Sequence, residues 1–273
     1  MNKILGFLVT FFYFLINVKI SFFTKIKFII VYFIDIVKII ILNPLIKKTH
    51  FLTGQNFFYI GKHINLLLDN INLHLNNYSK YYINAHIVID VGASFGTFPL
   101  MIKYLNSKVK VYCFEPSKES FELLYKNVDN LKGVYLFNKA IGNVVKKVLF
   151  NYDPSFPEGS SIKKREGSLN NQYLVNQTTL DNFVKKSNIK KISLLKVDTE
   201  GYEHYVLEGG KKALSITDYL IVEVETSSIK NINNILNILE KLNFNFIDIG
   251  VINKNDDNTI GSLDLIFKNI KYL

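Results

Sequence analysis

Two stretches hold the residues whose types and spacing could do chemistry: Val88-Ile89-Asp90-Val91-Gly92-Ala93-Ser94-Phe95-Gly96-Thr97 and Leu194-Leu195-Lys196-Val197-Asp198-Thr199-Glu200-Gly201-Tyr202-Glu203-His204. In the first, an apolar, β-branched run ends in a carboxylate and enters a turn with two glycines. Gly92 and Gly96 let the backbone pass close to a ligand where a Cβ would collide. Glu115 follows 23 residues after Gly92, at the end of the next apolar run, and Pro116 stops that run. An acid in that place can accept both hydroxyls of a ribose. A nucleoside-bearing cofactor follows from the combination.

The type of nucleoside is narrowed by what the turn lacks. A dinucleotide fingerprint reads G-x-G-x-x-G, its second glycine admitting a pyrophosphate. Here that position is Ser94, and the acid Asp90 lies within the turn. A carboxylate there repels phosphate and suits a cationic or amine-bearing ligand. S-adenosylmethionine has the ribose hydroxyls, an ammonium, a sulfonium and no phosphate, so it fits better than a nicotinamide dinucleotide. Asp90, Gly92, Ala93, Ser94, Gly96 and Thr97, with Glu115 and Pro116, form the candidate cofactor set. A tight strand-to-helix turn needing two glycines is the plain structural alternative.

In the second stretch a strand runs out into three acids and a histidine before a helix begins. Ligands of open parallel sheets bind at the carboxyl ends of the strands. Asp198 and Glu200 are therefore expected at the reactive end of the cofactor, as candidates for taking a proton, with Glu225 and His204 behind them. A divalent ion bridging Asp198 and Glu225 is a weaker variant, because no histidine clusters with the acids, and no metal site is expected. Glu203 and Glu208 equally suit the first turns of a helix, where a negative charge is favourable. His204 equally suits an ordinary helix face.

These residues need a scaffold, and the pattern supplies one. Residues 86–91, 109–115, 134–138, 193–198, 219–225, 244–249 and 262–267 read as strands. Residues 97–105, 117–131, 203–214 and 229–242 read as helices, with Ser117 as an N-cap. Strands alternating with helices predict an α/β fold with a mostly parallel sheet covered on both faces. Residues 143–180 interrupt the rhythm with Asn, Ser, Gly and Lys, as a lid or substrate insertion would. The organisation expected is an apolar basic arm over 1–48, a lead-in over 49–86, and a catalytic domain over 87–273.

Charge separates the arm from the body. The 273 residues carry a formal charge of +10, and eight lysines against Asp35 place +7 of it within residues 1–62. Lysines outnumber arginines 32 to 1. Arginine is the usual bidentate reader of bases and phosphates, so nucleic acid is not an expected partner. The longest uncharged run of the arm, Ile4–Val18, has 15 residues, short of the ~20 that span a bilayer. Residues 1–42 are expected to lie in an anionic membrane interface with their lysines snorkelling. Packing on the body, dimer contact and a true span are the alternatives. One cysteine, Cys113, excludes a disulfide framework and suits a cytoplasmic protein, peripheral on the membrane face.

Taken together, IDVGASFG, CFEPS, NKAIGN, TTLDNF, LLKVDTEGYEHYVLEGG and LIVEVE resemble the FkbM-type family of S-adenosylmethionine-dependent methyltransferases. The order and spacing match over residues 87–225. The resemblance implies a Rossmann-like class I fold, a seven-stranded sheet with an antiparallel last strand. It implies O-methylation of a hydroxyl on a sugar, glycan or polyketide-like acceptor. It places Asp90, Gly92, Ala93 and Gly96 at the methionine end of the cofactor, Glu115 at the ribose and Ala140 beside the adenine. It matches Lys196, Asp198, Glu200 and Glu203 to signature residues near the transfer site. Ser94-Phe95 departs mildly from the family's glycine loop. A cofactor-binding protein without catalysis and a nicotinamide-dependent oxidoreductase are the competing functions.

Overall fold

The computed structural model describes residues 21–23, 25–26, 29–30, 46–50, 56–60, 77–154, 156–163, 171–255 and 257–272. Most of the apolar arm, and with it the expected membrane contact, lies outside the described residues. Among the described residues no helix is long and apolar enough to cross a membrane.

A hairpin of β1 (Ile46–His50) and β2 (Asn56–Ile60) precedes a short helix α1 (Ser79–Tyr82). Then come β3 (Ile87–Val91), α2 (Thr97–Leu105), β4 (Lys110–Phe114), α3 (Lys118–Val128) and β5 (Val134–Phe137). Ser117 caps α3 as expected, its hydroxyl accepting from the Ser120 N–H at 3.2 Å. Two-residue β6 (Ala140–Ile141) leads to β7 (Lys146–Asn151) and β8 (Gln172–Thr178), a three-stranded side sheet of order β6-β8-β7. Part of the stretch read as an insertion is thus a paired hairpin. Leu149 and Leu174 on its exposed face hid the apolar–polar alternation that marks a strand with one side buried.

The chain continues through α4 (Leu180–Lys186), β9 (Ile192–Val197), α5 (Glu203–Glu208), α6 (Lys211–Ser215) and β10 (Thr217–Glu225). It closes with α7 (Ile229–Lys241), β11 (Phe244–Lys254) and β12 (Ile260–Asn269). The single helix expected over 203–214 is broken at Gly209-Gly210. A Cβ on Gly209 would lie 2.1 Å from the Gly142 carbonyl oxygen, so backbone packs against backbone there.

The main sheet has the order β11-β12-β10-β9-β3-β4-β5. Strands β5, β4, β3, β9 and β10 are parallel, and β12 pairs antiparallel with both β10 and β11. The last strand is therefore the antiparallel one, as the resemblance implied, in a Rossmann-like class I arrangement. Alternation along the strands feeds two cores. Val88, Val111, Leu194, Ile221 and Ile266 pack with α2, α3 and Tyr78 on one face. Ile89, Val91, Leu195, Val222 and Phe267 pack with α4 to α7 on the other.

Candidate active site

Strand register builds the site. Phe114 pairs with Val91, Val91 with Val197, and Val197 with Val222. One residue further along, at the carboxyl ends, stand Glu115, Gly92, Asp198 and Glu223. Glu223 in turn pairs with Asp264 on β12. Five neighbouring strands thus set four acids and a glycine in a row along one rim of the sheet. A cleft of about 1030 Å³ opens above it, lined among others by Glu115, Asp198, Glu200 and Glu223.

Gly92 holds this row together. Its φ is +88°, and a Cβ there would sit 1.7 Å from the Asp198 carbonyl oxygen. The two loops touch backbone to backbone, with the Asp198 N–H donating to the Val91 carbonyl at 2.9 Å. Gly96 also needs its positive φ, but its missing Cβ faces Leu124 of α3 at 2.8 Å. It serves helix packing and does not line the cleft, contrary to its expected place beside the cofactor.

Glu115 is buried, and its carboxylate accepts the Ser94 and Ser117 N–H groups, each at 2.8 Å. Burial pushes its pKa up to about 7 against the pull of those two bonds. Each carboxylate oxygen has two lone pairs, so both keep an acceptor site after these bonds. Ala93, Ser94, Thr97, Pro116 and Ala140 line the same end of the cleft, with Phe114 and Ile141.

Asp90 is not where the sequence put it. It lies one residue below the rim, fully buried and outside the cleft lining, and neither oxygen has a hydrogen-bond partner among the described residues. Burial pushes its pKa up to about 7, opposed by Lys196, its cross-strand partner on β9.

Lys196 is buried in a nest of acids. Its Nζ donates to Asp198 Oδ2 at 2.7 Å. Burial disfavours its charge, yet Asp198, Asp90 and Asp264 together hold it firmly protonated. In return, Lys196 and a hydrogen bond with Glu223 outweigh burial and hold Asp198 below the usual carboxylate range. Burial and the Asp198 charge drive Glu223 the other way, well above that range. One negative charge and one proton are thus shared across the Asp198–Glu223 pair. Ser262 donates to Glu223 at 2.8 Å, and Tyr78 donates to Asp264 from the opposite wall.

Glu200 lines the cleft from a loop position with φ +57°. Asp198, Glu200 and Glu223 bring one oxygen each within 4.8 Å of the others, close enough to share a cation. Glu225, the expected partner of Asp198 in that role, instead pairs with Lys163 at 2.8 Å.

Glu203 does not face the cleft. Buried at the start of α5, it accepts the Thr199 N–H, the Thr199 hydroxyl and the Gly201 N–H, each at 3.0 Å. It ties down the loop that carries Glu200, a role through position instead of contact. His204 lies against the Tyr205 ring, centroids 3.7 Å apart, away from the cleft.

Sequence reasoning missed Glu223, Asp264 and Tyr78. Glu223 had a visible signal, because LIVEVE places Glu223 and Glu225 on one face of one strand. Only the register with β9 decides which of the two stands level with Asp198. Asp264 and Tyr78 carry no motif. Phe57 and Tyr59 of β2 also reach the cleft. So does the hairpin segment, whose Ser161 hydroxyl donates to the Thr199 carbonyl at 3.1 Å.

Residues 90–246 match the family model of the methyltransferase FkbM domain. The hexuronic acid methyltransferase AglP of Haloferax volcanii is 25% identical over 176 residues, 64% of this chain and 70% of that protein. The 2-O-methyltransferase NoeI of Sinorhizobium fredii is 25% identical over 153 residues, 50% of this chain and 62% of that protein. Among solved structures, M. jannaschii TYW2 in complex with AdoMet aligns over 83% of this chain and 88% of that one. Its identity is 12% and its TM-score 0.47, a likeness too loose to carry an argument about function.

Proposed function

This chain belongs to the FkbM methyltransferase family, and from that premise we propose that it methylates a hydroxyl of a sugar or sugar-bearing acceptor with S-adenosylmethionine. The observation that carries the reading is the rim of the sheet. A buried carboxylate with spare lone pairs stands at one end, and an ionised carboxylate held by a lysine stands two strands away. Names of relatives acting on a hexuronic acid and at a 2-O position support a sugar hydroxyl as acceptor.

The residues fit the cofactor. Glu115 offers its free lone pairs to the two ribose hydroxyls, pre-oriented by Ser94 and Ser117. Phe114, Ala140 and Ile141 give an apolar wall suited to a purine. The cleft is wide enough for a nucleoside and an acceptor side by side. When bound, S-adenosylmethionine supplies an electrophilic methyl carbon.

The chain's own task is then to align the acceptor oxygen and take its proton. Asp198 serves as the proton acceptor, kept ionised by Lys196. Glu223 keeps its own proton and donates it in the hydrogen bond that helps hold Asp198 ionised until the acceptor's proton arrives, and Glu200 positions the acceptor from its strained loop. Glu203 holds that loop in place.

Calorimetry with S-adenosylmethionine tests the cofactor half. The wild type binds, and Glu115→Ala weakens binding at least about tenfold, as loss of a charged hydrogen-bond acceptor does. Unchanged affinity in the variant sinks the reading of Glu115. Cofactor binding without methyl transfer to any glycoside would favour a protein without catalysis.

A further inference from the structure

Tyr78 and Asp264 lie on either side of the family-matched residues 90–246, and the fold brings them together at the acceptor end of the cleft, which both line. Asp264 stands on β12 as the cross-strand partner of Glu223, which is level with Asp198. Asp198 and Asp264 therefore flank Glu223 two strands apart, about 10 Å from backbone to backbone. Tyr78 is buried, donates its hydroxyl to Asp264 Oδ2 and accepts the Val251 N–H at 3.2 Å. Its close approach depends on Gly250, where a Cβ would collide with the Tyr78 ring. Lys80 and Tyr81 of α1 both donate to Asp248 of β11, at 2.7 and 2.8 Å, and clamp the Tyr78 segment to the same pair of strands.

Asp264 is thus held by one oxygen. The other, Oδ1, accepts no hydrogen bond among the described residues, although the residue is only 7% exposed. Burial pushes its pKa up to about 6, opposed by Lys196 and by the Tyr78 bond, so the group is ionised at about pH 8. A buried carboxylate with an unused oxygen costs free energy until a donor meets it. A sugar brings several hydroxyls, and a ring that gives one to Asp198 can give another to Asp264.

We propose that Asp264 binds a second hydroxyl of the acceptor, one that is not methylated, and that Tyr78 is the positioning residue that fixes the Asp264 carboxylate for this contact. The inference rests on the sugar-methylating reading and deepens it, because it makes a polyhydroxyl acceptor a requirement of the site. A site built to receive a hydroxyl rejects the analogue that lacks it, since its own polar group is then left unpaired. Asp264 touches the substrate, whereas Tyr78 acts through Asp264 alone.

The test is transfer of a labelled methyl from S-adenosylmethionine, at about pH 8, to methyl glucoside, methyl galactoside and their monodeoxy analogues. The full chain is compared with Asp264→Asn and Tyr78→Phe. With the wild type, one deoxy analogue besides that lacking the methylated hydroxyl is expected to fall at least about tenfold in kcat/KM. Asp264→Asn keeps an acceptor for the Tyr78 hydroxyl, so it should lower kcat/KM for the parent glycoside while leaving that analogue almost unaffected. The ratio of the two then collapses, a change that a loss of folded protein cannot produce. Tyr78→Phe should raise KM for the parent several-fold with kcat little changed, and with cofactor affinity kept in calorimetry. Deoxy analogues all used as well as the parent overturn the inference, and so does a ratio that Asp264→Asn leaves unmoved. A Tyr78→Phe variant with the wild-type KM overturns the role of Tyr78. Failure to methylate any glycoside while the cofactor still binds overturns the sugar reading itself, which keeps the failures distinct.

Discussion

Asp90→Asn should flatten the dependence of stability on pH. Asp90 is fully buried without a hydrogen-bond partner among the described residues, and its pKa rises from 3.8 to about 7 because burial outweighs the pull of Lys196. Below about pH 4 the group is protonated in folded and unfolded chains alike and has no effect on stability. Between about pH 4 and 7 the folded chain keeps a proton that the unfolded chain has lost, so stability falls as pH rises. The slope is about 1.4 kcal/mol per pH unit, and the total cost at pH above 7 is about 4 kcal/mol. An asparagine carries no such cost at any pH. Glu115, Glu223 and Asp264 still titrate in the variant, so the difference between the two curves reports Asp90 together with its coupling to Glu115 and Lys196. Urea unfolding followed by far-ultraviolet circular dichroism, from about pH 5 to about pH 6.5, should show the variant gaining about 2 kcal/mol on the wild type across that range. Parallel curves would refute the reasoning, since they would mean that Lys196 keeps Asp90 ionised throughout.

Gly92→Ala should abolish cofactor binding and cost at least about 3 kcal/mol, because its Cβ would meet the Asp198 carbonyl oxygen at 1.7 Å; calorimetry and urea unfolding read both. Glu203→Ala strands three donors of the Thr199–Gly201 loop and should cost about 3 kcal/mol, with methyl transfer lost and cofactor affinity largely kept. Glu203→Gln retains a carbonyl acceptor and should restore most of the activity; a stable but inactive glutamine variant would assign Glu203 a direct chemical role instead.

Much of the fold was legible because its signals are local. Apolar runs ending in Gly92 or Pro116, and the Ser117 cap, report short-range sterics and hydrogen bonding. They marked the strands and helices between residues 86 and 138 and again beyond 192. Strands β7 and β8 escaped because the exposed Leu149 and Leu174 stand beside the buried Val148, Phe150 and Val175, so the sequence shows no apolar–polar alternation. The candidate site divided in the same way. Glu115 and Asp198 reached the cleft from sequence reasoning because each directly follows a strand, and Glu200 because it stands in the loop just beyond one. Glu203, three residues past Glu200, turned inward to satisfy backbone donors, a choice that the bare spacing of acids leaves open.

The sequence by itself determined that acids and glycines gather at strand ends, since a strand's length and its stop are written in consecutive residues. Only the tertiary structure decided which acids meet. Cross-strand register, set by packing of Val91, Val197 and Val222 in a common row, places Glu223 and not Glu225 beside Asp198. It also puts Lys196 among Asp90, Asp198 and Asp264, three carboxyls drawn from three other positions in the chain. Charge in such a nest depends on distance and burial, and neither can be read along a single chain. The lysine that looked like one more signature residue is thereby the counter-ion that keeps the proposed proton acceptor ionised.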